Sequence, residues 1–335
     1  MRSRFLAVPV ALMVLAAGLS TGWVVSRGAT DRASFASALD ALPATTATVD
    51  YTRWSDISGP LDDAGLRGLT TRSVIAVLDT EMVDMLGWSA TELAWEAYGR
   101  TDGGAITALG LGDVSVQQAE RSFAAIGSAV GTNTWRLNDE ADVSNDFAST
   151  FAWVRVVADH ELVLAAPDRA SLEAATDAVT GRERSLLDVR AVAAVAGRLG
   201  TATSVLVQNR QFLCLSSRIP SDDEAGLRQL AAALGPDDQL VDPAWGARGL
   251  FEGDPQRIEF AVAFDSDAVA RDQTRVRQAL TTGPFIGRSG QVADSLRDIN
   301  STTADGVVSF ASSLTSEGEE FMTDTGPVVF AGCAA

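Results

Sequence analysis

Apolar residues run without a charge from Phe5 to Val25, 21 residues flanked by Arg2 and Arg4 before and Arg27 after. That length crosses the hydrocarbon core of a bilayer as a helix, and the positive flank is expected to stay in the cytoplasm. The pattern predicts a cytoplasmic stub over 1–4, a transmembrane anchor or signal segment over 5–25, and a polar stalk over 26–43 that ends at Pro43. A cleaved signal peptide is the alternative, since Ala16 and Gly18 are small residues at cleavage spacing. Trp23, Val24 and Val25 carry the apolar run past that point and favour the anchor.

Beyond Pro43 the period changes repeatedly between helix-like and strand-like. Val116, Ala119, Phe123 and Ile126 share one helical face behind Ser115 and Gln118, which have capping-box spacing, and Gly127 closes that helix. Leu172, Ala175 and Val179 follow Pro167-Asp168 and end at Gly181. Leu186, Val189, Val192, Ala196 and Leu199 predict a third helix up to Gly200, and Ser221 with Glu224 opens a fourth that Gly235-Pro236 stops. Two hairpins are predicted, one from 93–98 and 105–111 around Asp102-Gly103, the other from 151–157 and 161–166 around Asp159-His160. A further strand spans 258–264 after a turn at Asp254-Pro255.

Four punctuation marks recur at nearly one spacing. Thr46-Ala47-Thr48 returns as Thr201-Ala202-Thr203, Gly99 as Gly253, Asp113 as Asp267 and Gly127 as Gly283, with offsets of 155, 154, 154 and 156. The expectation is an α+β fold of two tandem lobes, 44–200 and 201–335, each a largely antiparallel sheet with helices packed on one face.

Composition narrows the partners. A net charge of -18 disfavours nucleic acid, whose phosphates require a basic surface. The chain has no Lys, which removes a Walker A lysine, a Schiff-base lysine and a Ser-Lys dyad. Cys214 and Cys333 are the two cysteines, and in an oxidising compartment they predict one disulfide, worth about 4 to 5 kcal/mol in the chain-entropy picture. Two Cys and one His set far apart predict no zinc site.

Candidate chemistry is sparse. His160, the one histidine, stands between Asp159 and Glu161 in a turn pattern, so a surface role is expected. Glu92 and Glu96 flank Trp95 near Tyr98, a carboxylate pair beside aromatics of the kind glycosidases use. On a strand, Glu92, Glu96 and Tyr98 face away from Leu93, Trp95 and Ala97, and a wet sheet face accounts for them equally well. Gly103-Gly104 and Gly110-Leu111-Gly112 suggest a phosphate loop, but Ser115 stands where GxGxxG needs glycine and Asp113 repels phosphate. Acidic clusters at Asp139-Glu140 with Asp142, at Asp222-Asp223-Glu224, at Asp265 with Asp267 and at Glu317 with Glu319-Glu320 lack the spacing of a calcium loop. No catalytic residue, cofactor or metal is predicted.

The run Leu86-Gly87-Trp88-Ser89, then Glu92, Trp95-Glu96 and Tyr98-Gly99, and the ending Gly326-Pro327-Val328-Val329-Phe330-Ala331 with Cys333, resembles a group of exported, membrane-anchored actinobacterial proteins with no assigned activity. The resemblance implies an extracytoplasmic location and transfers no site. The expectation is a non-catalytic, membrane-anchored binding module of the cell envelope, taking a protein partner or a small apolar ligand. The alternatives are an envelope hydrolase built on the carboxylate pair and an accessory subunit of a membrane complex.

Overall fold

The computed structural model describes residues 34–57, 73–138, 142–315 and 328–333. The stub, the apolar run 5–25 and the stalk up to residue 33 lie outside the described residues. Among the described residues no helix is long and apolar enough to cross a membrane.

The described residues form an α+β fold, with helices packed on one continuous twelve-stranded antiparallel sheet. The first half comprises α1 (34–40), β1 (Thr48–Thr52), α2 (Val74–Leu86), β2 (Leu93–Thr101), β3 (Gly104–Leu111), α3 (Val116–Ile126), β4 (Gly127–Gly131), β5 (Thr134–Leu137), α4 (Asn145–Thr150), β6 (Trp153–Val157), β7 (Leu162–Ala166) and α5 (Arg169–Val179). The second comprises α6 (Arg190–Leu199), β8 (Ser204–Asn209), α7 (Arg210–Ser217), α8 (Glu224–Ala233), β9 (Trp245–Phe251), β10 (Arg257–Ala263), α9 (Asp267–Gln278), α10 (Val292–Ser295), β11 (Leu296–Ala304) and β12 (Val307–Leu314). The strand order is β11-β12-β10-β9-β8-β1-β2-β3-β7-β6-β5-β4, so the halves meet where β1 pairs with β8.

Local chemistry explains the well-predicted elements. Ser115 accepts a hydrogen bond from the Gln118 amide and starts α3, and Asp168 accepts one from the Ser171 amide and starts α5. The hairpin β2–β3 closes through Asp102-Gly103, as its sequence demands. The expected third helix divides into a 3-10 turn at Leu186–Asp188 and α6, while α8 is capped by Asp223 and not by Ser221.

Helices on one face is an expectation the structure corrects. Val49, Tyr51, Ala97, Ile106, Ala108, Leu164, Val205, Val207, Ala261 and Ala263 point to one side, where α1, α5 and α6 form a single core spanning both halves. The alternate residues point the other way into two separate cores, Leu109, Val154 and Val163 under α2, α3 and α4, and Leu250, Phe260 and Phe310 under α8 and α9. A sheet covered on both faces leaves little alternation to read. Residues 34–43, expected as the end of a stalk, are core: Phe35, Ala38, Leu39, Ala41 and Leu42 are fully buried.

Candidate functional site

On the face with two cores, the middle of the sheet is polar. Thr48, Asp50 and Thr52 of β1, Glu96, Tyr98 and Arg100 of β2, Ser204 and Gln208 of β8 and Arg248 of β9 lie side by side by register. Asp50 stands opposite both Tyr98 and Leu206, and Leu206 opposite Arg248. This strip separates the two apolar cores. Arg100 donates from Nε to Thr48 Oγ1 at 2.9 Å and stacks 5.7 Å from the Phe212 ring centre of α7.

Glu96 is at the end of that strip and is buried. Its Oε1 accepts the amides of Val74 and Ile75 at 2.9 and 3.2 Å, and its Oε2 accepts the Ser73 hydroxyl at 2.5 Å. The carboxyl of a central strand thus caps the first turn of α2, satisfying helix amides that have no partner in their own helix. Burial pushes its pKa up to about 7, the three hydrogen bonds pull it down, and the charge of Asp50 adds to the rise. Glu92 sits on a different element, where its Oε2 accepts the Ser89 amide at 2.8 Å in a capping box. Both carboxyls of the predicted pair therefore hold backbone amides, and Glu96 does not lie on a wet face.

Beside the strip, where α7 crosses β8 and β9, there is a pocket of about 40 Å³. Leu206, Leu213, Gly246, Phe260, Val328 and Ala331 supply its apolar wall, and Gln208, Ser216, Ser217 and Arg248 its polar points. One side of the pocket is α7 and the other is the C-terminal segment 328–333. The predicted disulfide joins those two sides: Cys214 of α7 is bonded to Cys333, with Cα atoms 5.0 Å apart. Asp242 places a carboxylate oxygen within 4.8 Å of both sulfurs, but sulfurs bonded to each other are not a metal-ligand pair.

Arg277 of α9, which the sequence reading passed over, holds the same C-terminal segment. Its buried guanidinium donates from Nη1 to the carbonyls of Val329, Phe330 and Gly332 at 3.1, 3.1 and 2.8 Å, and from Nη2 to Val241 at 2.7 Å. Burial depresses its pKa to about 10, and nearby Asp242 partly offsets that. One signal was available, since Arg277 falls on the helical face of Ala270 and Gln273, where a solvated arginine is out of place.

The remaining predicted residues are dispersed. His160 is exposed in the 3-10 turn between β6 and β7, as expected. Gly103 and Gly104 belong to a hairpin turn, and Gly110 lies against the Trp95 indole, so these glycines form no common loop. Asp223 caps α8, and Asp265 and Asp267 flank the Ser266 cap of α9 and line a depression with Asp305. Asp139, Glu140, Glu317, Glu319 and Glu320 lie outside the described residues. Against known protein families, curated proteins and solved structures, the chain matches none.

Proposed function

We propose that this chain is a non-catalytic, extracytoplasmic module of the cell envelope, anchored through its N-terminal apolar run, that binds a protein partner or a small apolar ligand. The observation that carries this reading is the pocket beside the central strip, whose apolar wall with four polar points is the lining, though not the volume, of a small-molecule site. The candidate catalytic groups support it from the other side. Glu92 and Glu96 are spent on backbone amides, and His160 is exposed on a turn that borders an open depression with Asp40, Glu183 and Asp188.

The reading includes two tandem lobes joined edge to edge. β1-β2-β3-β7-β6 and β8-β9-β10-β12-β11 follow the same order, with the β4–β5 hairpin added to the first. Pairing at the join is symmetric: Thr48 is opposite Gln208, Thr52 opposite Ser204, and Asp50 opposite Leu206 at the centre. Helices α1 and α6 each lead into a joining strand, so this reading extends the first lobe back from residue 44 to include α1 and moves the expected boundary at 200 to before Arg190. By register Gly99, opposite Val49, answers to Gly249, opposite Val205, and not to Gly253.

Extraction of the full-length protein from its own membrane, followed by native mass spectrometry, tests the proposal. A bound lipid or small molecule, or a stoichiometric protein partner, is the expected result. Bare protein in every preparation would count against it.

A further inference from the structure

The segment 328–333 is attached to the rest of the molecule as a ligand is attached to a groove. Phe330 inserts its ring between Phe260 and Phe310, edge-on to both, with centroids 5.5 and 5.3 Å away. Val328, Val329 and Ala331 are buried beside it. Arg277 reads the backbone of the segment through three carbonyls, and Ser217 accepts the Cys333 amide at 3.1 Å. A Cβ on Gly332 would meet Ser217 Oγ at 2.2 Å, so the fit extends to the absence of a side chain. An apolar slot for an aromatic ring, plus a buried donor for main-chain carbonyls, is the chemistry of peptide recognition.

From this we infer that the groove between α7, α9 and strands β9, β10 and β12 is a peptide-binding site, occupied in cis by the C-terminal segment, with the Cys214–Cys333 disulfide as its latch. The inference rests on the binding reading above and names its occupant: an apolar peptide segment of a partner protein carrying an aromatic side chain in the Phe330 position. Opening the latch needs a dithiol reductant. Its thiolate attacks the sulfur of Cys214, the less buried of the two residues, and Cys333 leaves as a thiolate that takes a proton. The second thiol of the reductant, deprotonated, then displaces Cys214, so two electrons and two protons pass to the protein as two thiols and the reductant ends as a disulfide. The freed segment stays tethered to β12 at high local concentration, so a partner competes only when the cis segment is released.

The test uses the full chain with Phe330→Ala, which weakens the cis segment, and a fluorescent peptide Pro-Val-Val-Phe-Ala-Gly added in trans. The reduced variant is expected to bind the peptide at least tenfold more tightly than the oxidised variant, and a peptide with Ala for Phe is expected to bind neither. Equal binding in the two redox states would overturn the latch while leaving a peptide groove. No binding in either would overturn the groove, while a lipid or partner found by native mass spectrometry would leave the broader binding reading standing. If the variant does not fold, hydrogen exchange on the wild-type chain decides: reduction is expected to raise exchange at residues 329–333 at least tenfold and leave β10 and β12 protected. Unchanged protection of 329–333 would overturn the proposal.

Discussion

Glu96 is a single side chain whose protonation tunes the stability of the whole fold. Its folded pKa of about 7 lies above the ordinary 4.5, so the folded state holds the proton more tightly than the unfolded chain does. Its contribution is therefore fully present below pH 4.5 and is lost as pH rises through 7, a change of about 3 kcal/mol. Urea unfolding from pH 4.5 to 8 is expected to show Glu96→Gln gaining on the wild-type chain across that window. A difference that stays constant with pH would refute the assignment. Burial disfavours the charge of Arg277 as well, but there the main-chain carbonyls that the guanidinium serves decide the outcome. Arg277→Met leaves three buried carbonyls and the partly buried one of Val241 short of a donor and is expected to cost roughly 3 kcal/mol or more, with faster exchange at 329–332. Neither role was legible as function in the sequence. Glu96 was placed on the correct side of its strand, but which helix covers that side depends on contacts distant in the chain.

At the scale of elements, legibility followed local chemistry. Helices α3 and α5 and the two hairpins were predicted because a cap, a turn dipeptide and one consistent period coincide in each. Helix α2 was missed because Val77 and Val83 face solvent among otherwise apolar positions and blur its stripe. Strand β8 was missed because both its faces are covered, so its apolar residues reduce to the short run Val205-Leu206-Val207, which shows no alternation. Close packing between elements gives another test. Gly110 of β3 lies under Trp95 of β2 so tightly that an added Cβ would fall 2.2 Å from the indole Nε1. Gly110→Ala is expected to destabilise by about 1 to 3 kcal/mol. The second substitution Trp95→Leu, which removes the obstructing ring, is expected to cost less in the Gly110→Ala background than alone. A double-mutant cycle measures this, and additive losses would show that the two residues do not oppose each other.

At the scale of the molecule, the join at β1 and β8 decides whether the chain unfolds once or twice. Five residues of each strand pair across the centre, and the apolar core on one face continues without a break from Leu164 and Leu172 in the first half to Val205 and Ala261 in the second. Separating the halves would expose two central strands with unpaired main-chain groups and divide that core, which is more costly than parting two self-contained domains. Unfolding is therefore expected to be one cooperative transition. The measurement is urea unfolding followed by tryptophan fluorescence and by far-ultraviolet circular dichroism. Five of the six described tryptophans, Trp54, Trp88, Trp95, Trp135 and Trp153, lie in the first half, so fluorescence weights that half while dichroism averages over both. Coincident midpoints would show the sheet behaving as one unit despite the duplicated strand order. A fluorescence midpoint displaced from the dichroism midpoint would mean that the halves unfold separately, and the join would then be an interface between two domains. The second outcome would also make the groove of the second half, with its disulfide, a device that opens without disturbing the first.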